Sequence, residues 1–161
     1  MWYHQQAIES WDEGSTGSKM RESDSLPTIE KLITQDQINK YAEASGDFNP
    51  VHVDPDFAAC SQFGGTIAHG MMIAATISEA MTSVFKTAWL SSGRLKLRFK
   101  APVFPGETVT AFGRVKKVRE LDAGSEIVCS VGVRKPNGTV AITGDATVLI
   151  TQKSQTLRDS L

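Results

Sequence analysis

The chain has few of the groups from which histidine-dependent or cysteine-dependent sites are built. Among its 161 residues are only three histidines, His4, His52 and His69, and two cysteines, Cys60 and Cys129. The cysteines lie far apart and match no close-spaced metal or redox pattern, so we expect two free thiols in a reducing compartment. A site that depends on histidine therefore has few candidates.

The sequence also lacks the features of a membrane, secreted or nucleic-acid-binding protein. Its formal net charge is -1, which argues against nucleic-acid binding through bulk basicity. No apolar run approaches the roughly 18 residues needed to cross a bilayer. The N-terminus has no basic stretch followed by an apolar one, as a secretory signal would have. We expect a cytoplasmic protein whose partners include neither a membrane nor a nucleic acid.

The length and composition predict one globular domain preceded by an extension. Hydrophobic residues make up 40% of the chain and charged residues 22%, which is typical of a soluble domain with its own core. Residues 1–27 are predicted to be a mobile N-terminal extension, because residues 9–27 are rich in Ser, Gly, Asp and Glu and show no sustained apolar period. Its aromatic residues could alternatively dock on the body or on a partner. The domain is predicted to span residues 28–161.

Helices are predicted in the first half of that domain. Thr34 and Gln37 have the spacing of a capping box, and Gly46 is placed to end the helix that follows. Asp54, followed by proline, begins a second, short helix. Residues 68–85 have little polar face, which predicts a central helix covered on most sides.

Strands dominate the rest of the chain. Residues 95–99 alternate apolar and basic side chains, as a half-buried strand does. Three more strands are predicted, at residues 108–118, 126–135 and 139–150. Asn-Gly at residues 137–138 favours a tight hairpin between the last two. With a short first strand at residues 28–33, these elements predict an α+β fold in which about five antiparallel strands wrap around the central helix.

The densest cluster of chemically active residue types lies at residues 45–52. Asp47 and His52 stand five positions apart, and Gly46 and Pro50 are expected to keep the segment from being regular helix. Irregular backbone can aim both side chains at one point, where a carboxylate can orient an imidazole or share a water with it. Alternatively, Asp47 and Asn49 cap backbone groups in a turn and His52 is structural. The spacing alone leaves both interpretations open.

Three blocks of sequence resemble the MaoC-like dehydratases, the family of (R)-specific enoyl-CoA hydratases. The blocks are GDFNPVH followed by VDPDFA over residues 46–58, GGTIAHGM over residues 64–71, and FKAPVFPGE over residues 99–107. They occur in the family's order, and the similarity runs from about residue 34 to residue 150. The resemblance implies the hot-dog fold and does not reach residues 1–27.

The resemblance also implies a reaction and its catalytic groups. Asp47 and His52 match the family's catalytic pair, which activates a water for addition to a trans-2-enoyl thioester, giving an (R)-3-hydroxyacyl thioester. Gly70 matches the start of the family's central helix, where its amide would bind the thioester carbonyl. An amide at a helix N-terminus is unpaired within the helix, which suits this role. The family needs no cofactor and no metal.

Four further residues are expected to contribute to substrate binding. Asn49 matches the motif asparagine and is expected to shape the loop. Ser78 matches a serine near the family's site, although a buried hydroxyl bonded to the preceding turn explains it equally well. His69 precedes the oxyanion glycine and is expected to position other groups rather than transfer a proton. Met71 could line an acyl tunnel, but core packing explains it, and also Met72, Met81 and Phe85, equally well.

Two features invite other interpretations. Eight basic residues between positions 94 and 119 could meet the phosphates of coenzyme A or the acidic surface of an acyl carrier protein, although a solvated strand face explains most of them. They are Arg94, Lys96, Arg98, Lys100, Arg114, Lys116, Lys117 and Arg119. A metal site could also be drawn from Asp47, His52, Asp54 and Asp56, but Asp54 is better explained as a helix cap.

The sequence thus favours a hydro-lyase acting on acyl-CoA over three alternatives. These are a hot-dog thioesterase, a dehydratase of acyl-carrier-protein thioesters, and a non-catalytic acyl-thioester-binding protein. The family pairs its sheets edge to edge, so a homodimer or a dimer of dimers is expected.

Overall fold

Five antiparallel strands form a single sheet that packs against one long helix. The computed structural model describes residues 20–151. Its elements are β1 (Ile29–Leu32), α1 (Gln35–Ser45), α2 (Pro50–Val53), α3 (Pro55–Ala59), α4 (Gly70–Ser92), β2 (Arg94–Phe99), β3 (Thr108–Leu121), β4 (Gly124–Arg134) and β5 (Val140–Thr151). The strand order is β1-β3-β4-β5-β2. The predicted fold class is confirmed.

Helix α1 begins and ends at the predicted residues. The Thr34 hydroxyl accepts a hydrogen bond from the Gln37 amide, and the Gln37 side chain accepts one from the Thr34 amide, which completes a capping box. Gly46 ends the helix in the left-handed conformation, with φ of 75°. The loop of residues 46–49 therefore leaves α1 in a defined direction.

The segment after that loop differs from the prediction. Pro50 was expected to prevent helix, but it begins the one-turn helix α2, with His52 in its last turn. Proline is tolerated in the first turn of a helix, where its missing N–H has no intrahelical acceptor to lose. The Asn49 side chain caps this turn by accepting a hydrogen bond from the Val51 amide, at 3.2 Å. His52 is thus held by a short helix rather than by an irregular loop.

Helix α4 is interrupted where the sequence predicted its end. Lys86 has φ of 50° and ψ of -129°, so regular helix stops at Phe85 and a short second piece follows, which was not predicted. One side of α4 is buried against the sheet, including Ile73, Ile77 and Met81. The other side was expected to be largely covered, but within this chain it is partly open, with Ala75 and Glu79 exposed.

Strand β2 is less buried than its alternation predicted. Leu95, Leu97 and Phe99 lie opposite Ala146, Gly144 and Ile142 of β5, on the face that carries the core. Leu97 packs against that core, but Leu95 is 38% exposed and Phe99 54% exposed. Among the described residues, β2 has a strand neighbour on one side only, so less of the molecule covers it.

The basic side chains of the strands lie mostly on the outer face of the sheet. Two of them make ion pairs there, Lys116 with Asp145 at 3.2 Å and Arg119 with Glu126 at 3.0 Å. These pairs fit the expected solvated strand face.

The folded body begins before residue 28, the predicted domain boundary. The Ser23 amide donates to Val115 O and the Leu26 amide donates to Gly113 O, both at 2.9 Å, so this segment pairs with β3 beyond the end of β1. Leu26 is part of the core. Residues 20–27 are therefore attached to the domain and do not form part of an extension. The rest of the predicted extension, residues 1–19, lies outside the described residues.

Both cysteines are free, as predicted. Cys60 is exposed and Cys129 is buried. Burial raises the pKa of the Cys129 thiol to about 11, so this thiol stays protonated at neutral pH and serves as a small apolar core side chain. Within residues 20–151, no helix has both the length and the apolar character needed to cross a membrane.

Candidate active site

The structure brings Asp47, His52 and His69 together at the N-terminal end of α4. One carboxylate oxygen of Asp47 and one ring nitrogen from each histidine all lie within 4.8 Å of one another. Asp47 is exposed, His52 is half-buried and His69 is buried. Two hydrogen bonds of ordinary length through one water can span such a separation. The predicted pair therefore has the geometry to share a water.

The ring of His52 is fixed in one tautomer by its surroundings. Its Nδ1 lies 2.8 Å from the carbonyl oxygen of Ile67. Because a carbonyl can only accept, Nδ1 carries the hydrogen, and Nε2 of the neutral ring is left with a lone pair. The backbone is held too, since the Gln35 side chain donates to His52 O at 2.8 Å and accepts from the Thr66 hydroxyl at 2.7 Å. This arrangement presents His52 Nε2 as a proton acceptor.

His69 links the loop of Asp47 to the start of α4. Its Nε2 donates to the backbone oxygen of Asp47 at 2.9 Å. Its ring stacks on that of His52, with centroids 3.8 Å apart and planes 29° from parallel, and also contacts Tyr41 at 4.8 Å. Its Nδ1 is buried and has no hydrogen-bond partner among the described residues. One imidazole thus fixes the backbone of Asp47 and supports one face of the His52 ring.

Asp47 keeps part of its carboxylate free for other contacts. Its Oδ1 accepts a hydrogen bond from the Asn49 amide at 3.2 Å, and its amide donates to the Ser45 hydroxyl at 3.3 Å. The turn with backbone caps that the sequence offered as an alternative is therefore present. It coexists with the Asp47–His52 proximity, because the cap occupies Oδ1 and no residue from 20 to 151 donates a hydrogen bond to Oδ2.

Gly70 lies between two cavities that also contain the clustered side chains. It is the first residue of α4, so its amide has no acceptor within the helix. A mainly apolar cavity of about 320 Å³ is lined by His52 and Gly70 and by buried residues such as Ile73 and Ile142. A second cavity of about 280 Å³ is lined by Tyr41, Ser45, Asp47, His69, Gly70, Met71 and Phe99. A molecule that spans both cavities can therefore contact Gly70 and both side chains of the predicted pair.

Some of the other predicted site residues lie at the site, and the rest lie away from both cavities. Met71 is exposed and lines the second cavity, while Asn49 caps α2 as described. Ser78 lines neither cavity, and its hydroxyl accepts a hydrogen bond from Trp89 Nε1 at 2.9 Å. Met81 and Phe85 belong to the core. The roles of Asn49, Ser78 and Met71 in substrate binding stay predictions.

Several residues that line the two cavities were not predicted as site residues, among them Tyr41 and Phe99. Tyr41, which the sequence did not mark as a site residue, lines the second cavity and contacts His69. Phe99, predicted as a strand residue at the start of the third block of family resemblance, lines both cavities. Lys100 lines the apolar cavity; it is one of the eight basic residues for which the sequence allowed either contact with coenzyme A or a place on a solvated strand face. The third block of family resemblance begins at Phe99 and Lys100, so this block was the sequence feature that could have indicated both residues.

The cluster has the composition of a metal site but not the geometry of one. Two imidazoles and a carboxylate commonly bind transition metals. Here the two rings stack with centroids 3.8 Å apart, and one nitrogen of each ring, His52 Nδ1 and His69 Nε2, is already hydrogen-bonded to a backbone carbonyl. Asp54, considered as a further ligand, caps α3 by accepting hydrogen bonds from the Asp56 and Phe57 amides, both at 3.0 Å. The arrangement favours proton transfer over metal binding.

Comparison with known proteins agrees with these features. The family model of the MaoC like domain matches residues 15–135. The 3-hydroxyacyl-thioester dehydratase Z of Mycobacterium tuberculosis is 35% identical over 69% of this chain and 73% of its own length. The (R)-specific enoyl-CoA hydratase of Aeromonas caviae is 34% identical over 74% of this chain and 88% of its own. The solved structure of an (R)-hydratase from A. caviae superposes with a TM-score of 0.70 at 30% identity, covering 81% of this chain and 97% of that one. The chain belongs to the MaoC-like family of hydro-lyases.

Proposed function

We propose that this MaoC-like hydratase/dehydratase of acyl thioesters adds water reversibly to trans-2-enoyl-CoA, giving (R)-3-hydroxyacyl-CoA. One observation carries the proposal. One carboxylate oxygen of Asp47 and one ring nitrogen of His52 lie within 4.8 Å of each other, beside two cavities that are both lined by Gly70, whose amide has no acceptor within α4. A hydration site needs a held water and a donor for the substrate carbonyl, and these groups supply both.

The proposed reaction begins with a water held between Asp47 and His52. As the water oxygen bonds to C3 of the enoyl group, the pair accepts a proton from it. Negative charge moves to the thioester oxygen, where the Gly70 N–H donates a hydrogen bond; such a preorganised donor is typically worth about 3–4 kcal/mol of barrier. The pair then returns a proton to C2 as the enolate collapses. The net change is addition of one water, and dehydration is the reverse.

A panel of enoyl-CoA substrates with chiral analysis of the products tests the function. We expect loss of the enoyl-thioester absorbance, formation of the (R)-alcohol and no free thiol. Release of coenzyme A, detected with a thiol reagent, would instead identify a thioesterase. Absence of turnover on every chain length would contradict the proposal. The same acyl groups on an acyl carrier protein provide the comparison, and we expect coenzyme A thioesters to give the higher kcat/KM.

His69 is proposed to act as a positioning residue. Its Nε2–H fixes Asp47 O and its ring supports His52, so loss of the ring is expected to misplace both catalytic groups. We expect His69→Leu to lower kcat roughly 10–100-fold, in line with the effect of small displacements of catalytic groups. His69→Gln keeps an N–H near the position of Nε2, so it should recover most of that loss.

The readouts separate positioning from general damage to the fold. For His69→Leu we expect kcat to fall more than KM rises, with a pH profile of unchanged shape, because the proton acceptor is still present. If His69→Gln were no better than His69→Leu, the hydrogen bond to Asp47 O would not explain the role. A change in the shape of the pH profile would point to proton transfer by His69 itself.

We also propose a homodimer formed through β2. On one side β2 pairs with β5, and on the other its backbone groups have no strand partner among the described residues. Exposed Leu95 and Phe99 on this strand add apolar surface at the open edge. Light scattering at micromolar concentration should give at least twice the 17.5 kDa of one chain. A monomer under these conditions would contradict the proposal.

A further inference from the structure

Phe99 lies directly against the residue that begins α4. A Cβ built on Gly70 would lie 2.8 Å from Phe99 Cε1, 3.0 Å from Cδ1 and 3.4 Å from Cζ. The ring therefore packs on the Gly70 Cα, which only a residue without a side chain allows. Although it makes this close contact, Phe99 is 54% exposed, because it ends an edge strand.

The two cavities of the site share two lining residues, Gly70 and Phe99. Beyond these, the larger cavity is lined mainly by apolar groups, including Ile73, Val103 and Ile142, and the smaller one contains the polar groups of Tyr41, Ser45 and Asp47. The ring of Phe99 thus stands beside Gly70, where the apolar cavity meets a second cavity that also contains polar side chains.

We propose that Phe99 is a specificity-determining partition that separates the space for the acyl chain from the space for the pantetheine arm. This inference rests on the proposed function. With the thioester carbonyl on the Gly70 amide and the water between Asp47 and His52, the apolar cavity suits the acyl chain beyond C3. The second cavity, whose polar groups include Tyr41 and Ser45, suits the amide-bearing arm, because buried amides need hydrogen-bond partners. The partition limits the acyl chain to the apolar cavity and so limits its length.

Kinetic measurements on position 99 variants test this role. The kcat/KM values of C4, C8 and C12 trans-2-enoyl-CoA are measured for wild type, Phe99→Ala, Phe99→Leu and Phe99→Tyr. Removal of the ring joins the two spaces, so in Phe99→Ala we expect the C12-to-C4 ratio of kcat/KM to rise at least 10-fold. Phe99→Leu should give a smaller rise, and Phe99→Tyr should keep the wild-type ratio within about 2-fold.

Leu95→Ala is the matched control. Leu95 is an exposed apolar residue on the same face of the same strand, but it lines neither cavity. The Leu95→Ala variant should leave the C12-to-C4 ratio of kcat/KM unchanged. It therefore controls for the loss of apolar surface at the edge of the sheet. Light scattering on each variant shows whether assembly is retained.

The outcomes distinguish this inference from the proposed function. If wild type turns over none of the substrates, the proposed function fails. If wild type is active and Phe99→Ala lowers kcat/KM equally for all chain lengths, or leaves all of them unchanged, the partition is overturned. A similar change of ratio in Leu95→Ala would also overturn it. Binding of saturated acyl-CoA thioesters, measured by calorimetry, should show the same shift of chain-length preference without turnover.

Discussion

Replacement of Asp47 by Asn, or of His52 by Ala, is expected to lower kcat for hydration of crotonyl-CoA about 10²–10⁴-fold. Either change removes one of the two groups that hold and deprotonate the water. Asp47 is exposed and His52 is only half-buried, so the fold should survive both changes. Loss of the enoyl-thioester absorbance gives the rate directly.

The double variant and a nearby aspartate provide the controls. Because the two groups are proposed to act on one water, Asp47→Asn combined with His52→Ala should be little slower than the slower single variant. Asp56 is an exposed carboxylate on α3 that lines neither cavity, and Asp56→Asn should keep wild-type activity. Multiplicative losses in the double variant would mean that the two residues act independently, and wild-type rates in either single variant would show that the site is misassigned.

Replacement of Gly70 by Pro is expected to have an effect of similar size, because it deletes the N–H proposed to bind the thioester oxygen. The backbone at position 70, the first residue of α4, suits proline, although the added side chain must displace the ring of Phe99. His69, with φ of -59° and ψ of 132°, already has the extended conformation that precedes proline. The helix should therefore persist, and circular dichroism can verify this.

Gly70→Ala distinguishes the effect of losing the N–H donor from the effect of adding side-chain atoms at position 70. Both substitutions place a Cβ against Phe99, but only proline removes the N–H. Relative to Gly70→Ala, we expect Gly70→Pro to lower kcat a further 10²–10³-fold, roughly the effect of losing one oxyanion donor. Equal activity of the two variants would mean that the amide does not bind the developing charge. Gly70→Ala with Phe99→Leu should recover part of the alanine variant's loss if displacement of the ring causes it.

The elements with strong local signals could be predicted from the sequence. Thr34, Gln37 and Gly46 specify the limits of α1 through hydrogen bonds to backbone within a few residues, so they are readable without tertiary information. The alternation of residues 95–99 likewise identified β2, because an alternating pattern is visible in the sequence without tertiary information. Burial of that strand was predicted less well, because it depends on which strand lies at the edge of the sheet.

The site could be predicted only in part. The resemblance of residues 46–52 to a known motif placed Asp47 and His52 together, but it could not show that His52 lies in the helical turn α2. That detail depends on whether Pro50 begins a helix or prevents one, which is decided by the Asn49 cap and by the contact of Gln35 with His52 O. The role of Phe99 depends on a contact across 29 positions of sequence, for which no local pattern exists.

A crystal structure of the Asp47→Asn variant with (R)-3-hydroxybutyryl-CoA tests the proposed arrangement most directly, since the variant should turn the ligand over too slowly to lose it. We predict the 3-hydroxyl oxygen within about 3 Å of both the residue 47 side chain and His52 Nε2, and the thioester oxygen within about 3 Å of the Gly70 amide nitrogen. A ligand whose 3-hydroxyl faces away from residues 47 and 52, or whose carbonyl is bound elsewhere, would contradict the mechanism.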